Sequence, residues 1–489
     1  MNAVLKSVPQ AAPSEVRGPL TDVYNACRFA QRHAGSLAYC PQRGQWLEFD
    51  GNHWAGDEMR HVMQHAIQVT RDLLAESQIL IAKAMQAGTE AERDKKTAQA
   101  EAMLAWARKS QAKPRLDALL GLAQTDPQLT VHQSKLDEDD MLLGVQNGVL
   151  DLESGEFRDG RPGDGRPGDF ITRQAGCVWQ GDETETACPR WEQFLAEIQP
   201  DPDVRWWLQK FIGYCLTGST REQIFAIFQG KGKNGKSVLM TVMKRLLGTY
   251  AATAQYETFC ENDKSAIRND IAALDKVRLV FASEGKDGAR LDEGIIKQMT
   301  GEDEVTARFL HRELFTYKPR YKIVLVTNHK PVITGTDEGI WRRPVLVPFP
   351  TFFPESKRDK GLVDKLLAEL PGILSWAMVG LRAWKEQGLE LPRVLALANA
   401  EYRQESDVVG LWIDDRCHVD DLPVDLSEIV TPIADLYKNY EIWVREAGHR
   451  ALSSKSLAEK LVERGHARCR DKRGARAVRG IRLRSAYDL

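Results

Sequence analysis

The stretch Phe228-Gln229-Gly230-Lys231-Gly232-Lys233-Asn234-Gly235-Lys236-Ser237 constrains this chain most. It places three glycines and three lysines between an apolar, strand-like run (Ile224, Phe225, Ala226, Ile227) and the helix-like VLMTVMKRLL. Its spacing, Gly230 and then Gly235-Lys236-Ser237, is that of a phosphate-binding loop, and a chance match in a chain this long arises on the order of a few per cent of the time. Glycines let backbone N–H groups converge on phosphate oxygens, and the following helix N-terminus adds partial positive charge. Lys236 is placed to neutralise the β- and γ-phosphates of ATP and the Ser237 hydroxyl to ligate Mg²⁺, with Gly230, Gly232, Asn234 and Gly235 completing the cradle. Lys231 and Lys233 fill no required position, so solvation and contact with the triphosphate both stay open for them. The helix is expected to end near Gly248.

A phosphate cradle alone hydrolyses nothing, so an acid is expected at the end of a second buried strand. The run 278–284, RLVFASE, offers Glu284, which could orient or deprotonate the attacking water and stand beside Ser237 at the metal. Ser283 occupies the place where a second acid would hold the metal. A third strand, 322–327, leads into Asn328, which could sense the γ-phosphate or hold the water; taken alone, an Asn there is a turn former. Arg342 and Arg343 open a fourth strand, either as surface charge or as a finger reaching a neighbouring subunit's nucleotide.

This order resembles superfamily 3 helicases, specifically the phage/plasmid primase-helicase family that includes the poxviral primase-helicase. The resemblance runs from about residue 119 to the C-terminus through LDEDDMLLGVQNGVLDLESGEFR, GKGKNGKS, LVFASEG, IIKQMTGEDEVTARF, VLVTNHKP and GIWRRPVLVPF. It implies Lys236 and Ser237 as the Walker A pair, Glu284 as the Walker B glutamate and Asn328 as sensor 1. Arg343 is the preferred finger and Arg342 the second choice. Lys297 and the segment 306–312, with Arg308, His311 and Arg312, would grip single-stranded DNA in a central channel. Ser283 and Glu302 depart from the family pattern.

The resemblance further implies an AAA+-like ATPase fold, a homo-hexameric ring with ATP between neighbours and 3′-to-5′ movement. It points to replication of a phage, plasmid or other mobile element, with a primase or replication-initiation protein as partner. The first 118 residues lack a paired-acid DxD or DxE arrangement that would mark a primase, so the reading is helicase without primase.

Lys and Arg (67) nearly balance Asp and Glu (69), so any nucleic-acid surface must come from local clustering. Such a cluster closes the chain: Arg468, Arg470, Lys472, Arg473 and Arg476, with Arg479 and Arg482 beyond and Asp471 the one acid among them. Preceded by helical patterns at 433–446 and 453–464, it reads as the wing of a winged helix on duplex DNA rather than as solvated charge.

The expected fold class is therefore α/β: an AAA+-like P-loop core with a helical N-terminal region and a C-terminal winged helix. Residues 1–118 form a domain of unknown role, with short strands and turns at 20–54 and helices from 58 to 122, suited to scaffolding or partner docking. Residues 119–200 form a pre-helicase module containing a hairpin around Glu153-Ser154-Gly155 and a surface loop at the GRPGD repeat. The ATPase core covers 201–355, a helical lid or linker 356–424 and the winged helix 425–489. Val204, Trp207, Leu208, Phe211, Ile212 and Cys215 recur at helical spacing, as core packing rather than base stacking.

The eight scattered cysteines lack a CxxC pair, which favours reduced thiols over zinc or disulfides. The first residues lack a signal-peptide core and no apolar run reaches membrane length, so a cytoplasmic protein of the host cell with no membrane partner is expected. The rival to a ring helicase is an ATP-gated origin-binding initiator or regulator that does not displace strands. A small-molecule kinase on the same cradle would leave Asn328 and the two arginines without a role.

Overall fold

The computed structural model describes residues 18–160, 166–182, 186–261, 269–283, 288–308, 314–335, 337–419, 429–448 and 451–484. At its centre is a five-stranded parallel sheet of β1 (Phe225–Gln229), β2 (Ala251–Gln255), β3 (Leu279–Ser283), β4 (Lys322–Thr327) and β5 (Pro344–Pro348), in the spatial order β5-β1-β4-β3-β2. Strands covered on both faces need apolar residues at successive positions, and β1, β3, β4 and β5 have them. Ala226, Phe228, Phe281 and Val324 face one core, shared with Leu239, Val242 and Leu246 of α1 (Lys236–Leu247) and with the helices Pro202–Cys215 and Leu370–Gln387. Phe225, Ile227, Val280 and Ile323 face the other. The helix α1 ends at Gly248, which takes a positive φ of 53°, as the sequence led one to expect.

The helix Arg393–Ser406 closes the β5 edge of the sheet. Asn399 Oδ1 accepts from Leu346 N at 2.8 Å and its Nδ2 donates to Leu346 O at 3.3 Å, so a side-chain amide takes the hydrogen bonds a further strand would have made. At the N-terminal end of the sheet the preceding segment docks through buried polar contacts. Gln133 Nε2 donates to Asp275 Oδ2 at 2.8 Å, and Arg278 Nη2 to Leu142 O at 2.6 Å. The opposite end, where β1 and β4 finish, carries the glycine-rich loop.

The N-terminal segment differs from the expected short strands. Residues Asp22–His33 form a helix, started by Thr21, whose Oγ1 accepts from Tyr24 N at 3.3 Å. Its buried face, Ala26, Phe29, Ala30 and His33, has helical spacing that the aromatics and glycines immediately downstream obscure. An antiparallel sheet of Leu37–Cys40, Gln45–Phe49 and Trp54–Gly56 follows, and then the expected helices, His61–Ala84, Glu90–Ser110 and Lys113–Ala123.

The hairpin around Glu153 is present: Gly148–Asp151 pairs with Phe157–Asp159, and also with Leu142–Val145. Asp151 Oδ1 accepts from Glu153 N at 2.8 Å and builds the turn. In the GRPGD repeat, 161–165 lie outside the described residues; Asp169 of the second copy pairs with Arg158 at 2.7 Å.

The C-terminal helices Ile433–Glu446 and Ser454–Glu463 precede strands Arg468–Arg470 and Arg476–Arg479, which a strand at Val430–Pro432 completes into an antiparallel sheet. Its apolar cluster also takes in the helix Val408–Arg416, assigned from sequence to the linker. Trp412 is buried there and donates from Nε1 to Asn439 Oδ1 at 2.8 Å. The cysteines are free thiols, and among the described residues no three His, Cys, Asp or Glu side chains group to hold a metal. Among those residues no single helix is long and apolar enough to cross a membrane.

Candidate active site

Between β1 and α1 the backbone passes through positive φ at Gly232 (87°), Lys233 (54°) and Gly235 (85°), the left-handed conformation from which anion-binding loops are built. A Cβ on Gly230 would stand 2.2 Å from Asn234 Nδ2 and 2.8 Å from Phe349 O; one on Gly235 would stand 2.3 Å from Ile198 Cγ2. Glycine is thus demanded at 230 by close approach, at 232 by conformation and at 235 by both. Lys236 is buried at the first turn of α1 and donates from Nζ to Gly230 O at 2.6 Å. Burial lowers its pKa, and among the described residues it has no ion-pair partner. Ser237 is exposed beside it.

The neighbouring strand brings Asn328 to the same end. Gln229 pairs with Thr327, Gly230 N donates to Thr327 O at 3.2 Å, and Gln229 Nε2 donates to Asn328 O at 3.4 Å. Thr327 Oγ1 accepts from His329 N at 3.1 Å and fixes the turn on which Asn328 stands exposed. Ser283 ends β3 alongside Val326. Glu284 lies outside the described residues.

The two arginines stand at the far end of the sheet, since β5 begins at Pro344 opposite Phe225. The five residues of β1 put about 16 Å between them and the glycine loop, so neither approaches the loop of its own chain. Arg343 is 7% exposed, donates from Nε to Thr300 Oγ1 at 3.1 Å and from Nη1 to Gly339 O, and has its pKa lowered by burial. Arg342 is exposed and donates from Nη2 to Gln223 Oε1 at 2.6 Å.

Of the residues expected at DNA, Lys297 lies on the helix Glu293–Thr300 and pairs with Asp337 at 3.0 Å. Arg308 is exposed at the end of Val305–Arg308, which pairs with Leu314–Tyr317; His311 and Arg312 lie outside the described residues. In the C-terminal sheet Arg468, Arg470, Lys472, Arg473 and Arg476 are all exposed. Asp471 Oδ1 accepts from Arg473 N at 2.9 Å and Ala475 N at 2.8 Å, so the lone acid is spent on the turn. Arg470 sits directly opposite Arg476, a pairing that destabilises a sheet unless an anion comes between. Phe349 and Ile198, which wall the glycine loop, were missed from sequence because they are far from it along the chain.

Fold and site together define an α/β protein in which a central parallel strand runs into a glycine-rich turn and a helix. Residues 26–200 match the "D5 N terminal like" family and residues 228–343 a family of unknown function, DUF5906. The first match takes in most of the segment 1–118, where the resemblance read from sequence had not begun. The chain is 30% identical over 330 residues to "Putative helicase L207/L206" of Acanthamoeba polyphaga mimivirus, covering 63% of this chain and 33% of that protein. It is 22% identical over 359 residues to "Putative primase C962R" of African swine fever virus (isolate Warthog), covering 67% and 36%. The chain therefore spans about a third of the length of these curated relatives. The solved apo structure of the NrS-1 C terminal region aligns at 12% identity and a TM-score of 0.41, over 63% of this chain and 78% of that one. The chain is thus similar in sequence to viral proteins named as putative helicases and primases.

Proposed function

We infer that this chain is an ATP-dependent DNA helicase acting in replication of a virus, phage or other mobile element, with an AAA+-like P-loop core at 201–355 and a winged helix at its C-terminus. The observation that carries the reading is the loop itself. Three left-handed residues, two glycines with no room for a Cβ, a buried lysine that donates to a loop carbonyl and an exposed serine stand at the C-terminal end of a central parallel strand. That end is where ligands of open α/β sheets bind. The donor set fits a magnesium-bound triphosphate, which supplies the phosphoryl group and shields its charge.

Lys236 would exchange the Gly230 carbonyl for phosphate oxygens, and the Ser237 hydroxyl would hold the metal. Asn328 orients the water and Glu284 takes its proton. A finger must come from a neighbouring copy, because neither arginine reaches its own loop. Exposure favours Arg342 for that role, since Arg343 would have to give up Thr300 and Gly339. This fits a homo-hexameric ring in the host cytoplasm, its hairpins (Arg308, His311, Arg312) and Lys297 gripping one strand as it moves 3′ to 5′. A primase or initiation protein is the proposed partner. The exposed Arg470–Arg476 pair supports the second reading, an initiator that binds duplex DNA under ATP control without displacing strands.

The test is ATP hydrolysis with and without single-stranded DNA. Turnover stimulated by DNA and reduced at least about a hundredfold in Lys236→Ala supports the reading; turnover indifferent to that substitution contradicts it.

A further inference from the structure

After β5 the chain passes directly along the glycine loop and is tied to it at both ends. Phe349 N donates to Gln229 O at 2.8 Å, Asn234 Nδ2 donates to Phe349 O at 3.4 Å, and Phe353 N donates to Lys233 O at 2.8 Å. Phe349 is 3% exposed, its ring 5.2 Å from that of Phe228 on β1, and Phe353 packs partly into the same core. Between these anchors Phe352 is 62% exposed. Ordinary bond lengths put its Cα within about 5 Å of the Lys233 carbonyl. A large ring is thus held in water, on a fixed stretch of backbone, at the rim of the cradle.

We propose that Phe352 is the base-stacking residue of the nucleotide site, an inference that rests on the nucleoside-triphosphate reading of the glycine loop. A triphosphate seated on the loop carries its ribose and base out over one rim, and an aromatic face stacks on any base because every base has a π-face. The neighbouring side chains Pro350, Thr351 and Phe353 offer a single hydroxyl for reading base edges. Selectivity therefore follows stacking strength: ATP and GTP bind alike, and CTP and UTP several-fold more weakly.

The experiment measures Mg²⁺-dependent binding of ATP, GTP, CTP, UTP and inorganic tripolyphosphate to the full chain, as wild type, Phe352→Ala, Phe352→Trp and Lys236→Ala. Phe352→Ala is expected to weaken all four nucleotides about tenfold or more while leaving tripolyphosphate unchanged, and Phe352→Trp to keep wild-type affinity. Unchanged nucleotide affinity in Phe352→Ala overturns the stacking role, and so does an equal loss for tripolyphosphate, which would mean a disturbed loop. If Lys236→Ala still abolishes binding in those cases, the nucleotide reading survives. A wild-type chain that binds neither ATP nor tripolyphosphate overturns both.

Discussion

Gly232 and Gly235 have nearly the same backbone, φ 87° and 85°, in different surroundings. A Cβ at 232 meets nothing within 4 Å, whereas at 235 it meets Ile198 at 2.3 Å. Gly232→Ala should therefore cost only the left-handed penalty, about 1–2 kcal/mol. Gly235→Ala adds overpacking against the helix Pro189–Ile198 and should cost about 1–3 kcal/mol more. Urea denaturation measures both; equal costs would mean that the loop is not pressed against that helix. The glycine-rich turn that carries Lys236 and Ser237 into a helix was legible from sequence because its parts lie within a few residues of one another. The bonds from Arg343 to Thr300 and from Asn234 to Phe349 were not, because they join segments that meet only after the sheet has formed.

At the scale of elements, apolar runs disclosed β1, β3, β4 and β5, while β2 escaped notice. Its AATAQ is an edge strand with its last residue exposed, and so lacks the continuous apolar pattern of its neighbours. The helix Asp22–His33 escaped for another reason: its apolar spacing merges into the following strands. His33 closes that helix, where the macrodipole favours a cation by up to roughly 1 kcal/mol. Burial outweighs this and, with His65 and Arg32 nearby, holds its pKa down to about 3.

An unfolded histidine titrates near 6.5, so from about pH 6.5 down to 3 the unfolded chain takes up a proton that the folded chain refuses. The stability is present in full above that window and is lost as pH falls through it, by about 2 kcal/mol at pH 5. Denaturation of the wild type and His33→Leu at pH 7 and pH 5 checks this. The variant should lose that much less on acidification, and an equal loss in both would assign the acid sensitivity to other groups.

Over the whole molecule, charge and geometry are divided between the ends of the chain and of the sheet. The net charge of −2 hides a C-terminal hairpin with arginines facing across its strands. The glycine loop and the arginine pair occupy opposite ends of one sheet, an arrangement in which the proposed finger completes the site of another copy. The two C-terminal helices and the basic hairpin after them were legible because they lie consecutively in sequence. Packing of Val408–Arg416 into that unit was not, because its apolar face reads equally well as linker.

ATP turnover at this loop is proposed to drive strand separation, which is measured as displacement from a 3′-tailed duplex, with ATP turnover followed in the same tubes for the wild type and Lys236→Ala. The wild type should displace the strand and hydrolyse ATP, and the variant should do neither. Turnover without displacement, on either tail polarity, would contradict the proposal and leave the ATP-gated initiator.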